Sequence, residues 1–238
     1  MCTSEGVSWA TLAVGTTVNI LCFWALSRFV REWRLPVIVG LFWQYGLLMQ
    51  LPEAMVWRTG GGDAWERLAF GLNVTQPHVG VALAIVAWHY TDEKMSTWSY
   101  KRRGIFLIGL FVLVLYSFVV FDASPRCELD MIKPPCPHLS LSWWEGGGCL
   151  SATRDVLLYM AAAVFGLAIL PWPWSVVQLA IWGSTLAISQ WYYECSNGSM
   201  WCWMVVFANA VVASVARALE GRHPPTGRPK TVRYRVFV

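Results

Sequence analysis

"WQYGLLMQLPEAMVWR", residues 43–58, is the stretch on which the reading of this chain turns. With the residues before it, it completes a run of 22 residues, 36–57, holding a single charge, Glu53. A bilayer hydrocarbon core about 30 Å thick is crossed by about 20 helical residues, so the run has the length and composition of a span. It also carries Gln44, Gln50, Pro52 and Glu53. Polar side chains are costly in lipid and a carboxylate most of all, while proline removes a helix hydrogen bond. A span with this content points to a polar site inside a membrane domain.

The rest of the chain supports that class. It has 238 residues, 56% hydrophobic and 13% charged, with mean hydropathy +0.47. Soluble domains carry about a quarter charged residues. Six more apolar segments lie at 8–29, 65–90, 105–121, 154–171, 174–193 and 200–219. The first lacks a basic n-region and a small-residue cleavage site, so a removable signal peptide is not expected. The expected fold is therefore all-α, an integral membrane bundle of seven helices (residues 1–219) followed by a basic tail (220–238).

Loop charge sets an expected orientation. With seven spans, thirteen Lys and Arg fall on one side and five on the other. The thirteen include Arg28, Arg31 and Arg34, Lys101, Arg102 and Arg103, and six in the region from Arg217 onward. The positive-inside rule then places the N-terminus outside and the tail in the cytosol. Cys127, Cys136, Cys149 and Cys195 all lie on the outer side, where thiols of the secretory pathway or plasma membrane usually pair. They are candidate disulfides, with three connectivities open. Asn197-Gly-Ser199 is a candidate glycosylation site on the same side, and the loop 122–153 a cysteine-bearing external cap. Nine of the sixteen tryptophans, Trp33, Trp98 and Trp174 among them, fall near span ends and are expected as interfacial anchors.

Counting 100° per residue, Gln50, Glu53 and Trp57 share one helix face within about 60°, whereas Gln44 points elsewhere. Asn73, Gln76 and Glu66 cluster on one face of the third segment within about 80°. Pro52 and Pro77 are expected helix kinks, freeing the carbonyls of Leu48 and Asn73. The short link Arg58-Thr-Gly-Gly-Gly-Asp63-Ala makes the two segments antiparallel neighbours. The expected transport or ligand-binding residues are Gln50, Glu53, Asn73 and Gln76, with Asn209 of the seventh segment as a further wall. Gln178, Ser189 and Gln190 of the sixth are other wall candidates.

Several chemistries are excluded or disfavoured. Four histidines, two of them in loops or tail, do not make a three-histidine zinc site. The seventh segment has no lysine for a retinal Schiff base, and no catalytic triad, phosphate loop or cofactor motif appears. No catalytic residue, metal or cofactor is assigned, and nothing points to nucleic acid. The partners expected are the bilayer itself, a small ion or polar solute, and anionic lipid at the basic tail.

The pattern Gln50-x-x-Glu53-x-x-x-Trp57, then Asn73 and Gln76-Pro77, resembles a family of uncharacterised multi-span membrane proteins, mostly of large DNA viruses and unicellular algae. The resemblance covers about residues 43–78, and departs in Pro52 and the triple-glycine link. It carries no activity, so it adds weight to these positions alone. The function expected is a channel or transporter for a small cation, proton or small polar solute, more a conduit than an enzyme. The alternatives are a seven-helix receptor or sensor with a disulfide-capped external face, and an intramembrane lipid enzyme using Glu53.

Overall fold

The computed structural model describes residues 4–30, 33–60, 63–91, 98–123, 129–132, 138–141, 153–192 and 197–221. Side chains are described for these except 63, 101, 122–156, 186, 189–205 and 220–221.

Helices occupy all seven apolar segments. Helix α1 (Glu5–Phe29) starts at Ser4, whose hydroxyl accepts from the Val7 N–H at 3.3 Å. At its other end, Arg217 donates to the Phe29 carbonyl at 2.7 Å, the position where a cation offsets the negative end of the helix dipole. The second segment is broken into α2 (Arg34–Leu48) and α3 (Gln50–Thr59). The break falls at Met49, whose N–H bonds three residues back to Gly46. Pro52 lies three residues beyond that break, where its missing N–H is already spent on the junction. Gly60, at φ +75°, closes α3 in the left-handed conformation that glycine adopts without strain.

The third segment is α4 (Asp63–Val74) and α5 (Gln76–His89), bent by 48° at Thr75. Then come α6 (Tyr100–Ala123), a hairpin of β1 (Leu129–Ile132) and β2 (His138–Leu141), α7 (Thr153–Ala168), α8 (Trp174–Tyr192) and α9 (Asn197–Gly221). The strands pair antiparallel, Leu129 opposite Leu141, so the connection between α6 and α7 holds a short hairpin that its sequence did not announce. Apart from it the described elements are all helices. By length and apolarity α1, Arg34–Thr59 and α6 are candidate membrane spans, and the bent α4–α5 pair makes a fourth. Shorter apolar stretches lie in α7 (Leu157–Ala168) and α9 (Val206–Leu219).

Two apolar cores hold the bundle. One joins Leu26, Val39, Trp43, Leu47, Leu167, Trp174 and Val212 from α1, α2, α7, α8 and α9. The other joins Met49, Val56, Phe70, Val74, Tyr116 and Tyr159 from α3, α4, α6 and α7. Helices α5 and α7 cross closely, since a Cβ on Gly166 would lie 3.2 Å from the Pro77 carbonyl and the Val81 nitrogen. Helix α6 leaves Ile105, Ile108, Phe111 and Phe118 more than 60% exposed, the face a lipid-bathed helix presents.

Two tryptophans depart from the expectation. Trp98 and Trp174 are buried, not interfacial anchors. The Trp98 ring meets Trp88 edge-on at 5.1 Å, and the Arg102 guanidinium sits 4.4 Å and 4.5 Å from the two ring centroids. Cation–π attraction holds Trp98 against Arg102, its neighbour Trp88 is fixed by Nε1–H donating to the Ile169 carbonyl at 2.6 Å, and Trp174 packs in the first apolar core. Cys22, in α1, is a free thiol. Cys127, Cys136, Cys149 and Cys195 lie outside the described residues, as do the side chains of Asn197, Ser189 and Gln190.

Candidate functional site

The four residues expected to share a site are all interior. Gln50 and Glu53 have no exposed surface, and Gln76 and Asn73 are 3% and 7% exposed. Helix α3 presents them because Pro52 and the Met49 junction begin a new helix there, with Gln50 its first residue. Helix α4 returns antiparallel after the glycine link. The register between them is fixed by Gln76, whose Nε2–H donates to Met49 Sδ at 3.3 Å. That contact brings the start of α5 against the α2–α3 junction.

Gln76 is also bound from a third helix, since Tyr159 donates to its Oε1 at 3.3 Å. Tyr116 of α6 donates to the Val74 carbonyl at 2.8 Å. Pro77 has no N–H for the Asn73 carbonyl, and the neighbouring Val74 carbonyl, at the bend, is the one that Tyr116 takes up. The Thr75 hydroxyl bonds to the Gly71 carbonyl and to the Tyr45 hydroxyl, which ties the bend to α2. Tyr116 and Tyr159 stack edge-on at 5.8 Å. Neither was expected at the site, although a lone tyrosine within an apolar run is a legible signal, since its hydroxyl needs a partner once buried.

Asn209 bonds apart from the other four. It is buried, but its Nδ2–H donates to the Gly40 carbonyl at 3.1 Å. Gly40 is 13 residues from Glu53 along the second segment, about 20 Å of helix rise. Gln178 of α8 does the same one residue earlier, donating to the Val39 carbonyl at 3.3 Å. These amides brace α8 and α9 against α2, and a Cβ on Gly40 would lie 2.4 Å from Asn209 Oδ1. Gln44, set aside in the angular count, faces α1, where its Oε1 accepts from Asn19 at 2.7 Å. His78 turns to α6, 2.7 Å from the Ser117 hydroxyl.

The remaining wall is α1, which packs along α3. Its buried face includes Ser8, Thr11, Gly15 and Asn19. The group as a whole offers one carboxylate, amide oxygens and hydroxyls. That donor set suits a proton or a hard cation. Among the described residues no cluster of three His, Cys, Asp or Glu could hold a metal ion.

Comparison with protein-family models, with curated proteins and with solved structures gives no match. The resemblance of residues 43–78 therefore rests on those residues alone.

Proposed function

We propose that the chain is a seven-span membrane protein, N-terminus outside and tail in the cytosol, that moves a small cation, proton or small polar solute past Glu53. The observation that carries the reading is the complete burial of Glu53, with Gln50, Asn73 and Gln76 also buried, on helices that are interrupted at Met49 and Thr75. Enclosing a carboxylate costs several kcal/mol even after relaxation, and interrupted helices bearing polar groups line the substrate sites of many transporters. Seven spans, beyond the three or four marked by length and apolarity, are favoured by the thirteen-to-five charge asymmetry. The disulfide-capped loop and the division into a bundle (1–219) and a tail (220–238) belong to the same proposal. The lipid-enzyme alternative needs a second titratable group beside Glu53, and His78 is turned to Ser117 instead.

The test is flux in proteoliposomes under pH and cation gradients, parent against Glu53→Gln. Gradient-driven flux that falls at least tenfold in the variant supports the reading. Equal flux in both removes Glu53 from the mechanism. An epitope tag at the N-terminus that is reached from outside intact cells supports the orientation, and one reached only after permeabilisation reverses it.

A further inference from the structure

The first helix break carries Glu53. The Met49 N–H bonds three residues back to Gly46, and the Met49 carbonyl accepts from the Glu53 backbone N–H at 3.2 Å. A turn tightened in this way inside a longer helix is a seat of bending. Rotation at Met49 therefore carries the first turn of α3, with Gln50 and Glu53, as a unit. The second break, at Thr75, bends α4 against α5 by 48° just before Pro77, and proline is a common cause of kinks.

The two breaks lie against each other. Tyr45, one turn before Met49, bonds through its hydroxyl to that of Thr75. Met49 Sδ accepts from Gln76, the residue after Thr75, at 3.3 Å. A thioether can only accept, so the amide presents its NH2 group to Met49. Its oxygen is left for Tyr159 of α7, which donates at 3.3 Å. Gln76 is thus held at both ends. Met49 and Val74, from the two breaks, also belong to one apolar core with Tyr116 and Tyr159, and close-packed interiors transmit displacement. Tyr116 holds the second break from α6, donating to the Val74 carbonyl at 2.8 Å.

We propose that the breaks at Met49 and Thr75 form one coupled hinge. Gln76 is its positioning residue, passing motion at the α4–α5 bend to the turn of α3 that bears Glu53. Glu53 has no exposed surface, so a transported species reaches it only when that turn moves. This use of the hinge rests on the transport reading, whereas the coupling of the two breaks does not.

Hydrogen exchange read by mass spectrometry, on the full chain in nanodiscs, follows residues 46–54 and 71–79 separately. Tyr116→Phe keeps the ring and removes the bond at Val74. Exchange then rises about fivefold at the second break, and it rises in step at Met49–Glu53 on the other helix. In a Gln76→Leu background the same substitution acts on the second break alone. If Gln76→Leu fails to fold, Tyr159→Phe, which removes the bond at the other end of the amide, takes its place. Arg102→Ala, a substitution away from both breaks, leaves exchange at both unchanged. A rise confined to the second break, or an equal rise in Arg102→Ala, overturns the coupling. A rise at Met49–Glu53 that persists without the Gln76 amide overturns its role. Glu53-dependent flux with uncoupled breaks sinks this inference and leaves the transport reading standing. Coupled breaks in a protein that supports no flux do the reverse.

Discussion

Replacing Asn209 by leucine separates a brace from a site. The two side chains share a branch point and nearly the same size, so the packing against Gly40 and Phe23 is preserved in outline. What changes is polarity. The variant loses the 3.1 Å bond from Nδ2–H to the Gly40 carbonyl. Interhelical hydrogen bonds of this kind average about 0.6 kcal/mol in membrane bundles, and the carbonyl stays within the ladder of α2. The variant also loses Oδ1, a buried acceptor without a partner, and an unsatisfied buried polar group costs about 1–3 kcal/mol. The second term is the larger, so Asn209→Leu stabilises the bundle by about 1 kcal/mol, a rise of about 3 °C in melting temperature. Thermal unfolding in detergent micelles reads the shift, and proteoliposome flux reads the function, which stays at the parent level because Gly40 is far from Glu53. A fall of more than about 3 °C refutes the energetics, since it means that Oδ1 is satisfied in the folded bundle. Flux reduced to the level of Glu53→Gln refutes the placement and returns Asn209 to the site.

Gly166→Val forces a branched side chain against the Pro77 carbonyl and Val81 nitrogen, backbone atoms that cannot rotate away. It destabilises by about 3 kcal/mol in thermal unfolding, whereas Gly183→Ala, where a Cβ meets nothing within 4 Å, changes stability by about 0.5 kcal/mol or less. Tyr116→Phe removes the 2.8 Å bond to Val74 at the α4–α5 bend, costs about 1 kcal/mol and leaves the protein folded by circular dichroism. Arg102→Ala withdraws the cation from between Trp88 and Trp98 and lowers stability by about 1 kcal/mol, of which Arg102→Lys recovers part.

Local information reached a good way into the site. The angular spacing of Gln50 and Glu53 puts that pair on one face of α3, and a short glycine link leaves little choice but an antiparallel return. These residues, with Asn73 and Gln76, are buried. Positions that depend on distant partners were not legible in the same way. The 48° bend at Thr75 lies in the turn before Pro77, as the proline leads one to expect, but the contacts that reach it, Tyr45 from α2 and Tyr116 from α6, depend on distant parts of the chain. Asn209 sits on the seventh apolar segment, where nothing in its neighbours says whether it meets Glu53 or Gly40. Trp98 and Trp174 have the sequence setting of interfacial anchors, and their burial comes from the Trp88–Arg102 contact in one case and from the shared apolar core in the other.

The interior polar residues divide by what they do for the fold. Lipid provides little hydrophobic drive between helices, so bundles are held by close packing and by polar contacts. Asn19 with Gln44, Gln178 with Val39 and Asn209 with Gly40 are neutral pairs, each joining two helices through one bond. A neutral amide serves that purpose at small cost, and substitution by an apolar residue is tolerable. A carboxylate does not fit the pattern, because its desolvation exceeds anything one interhelical bond returns. Glu53 therefore stands apart from the braces on energetic grounds, before any function is invoked.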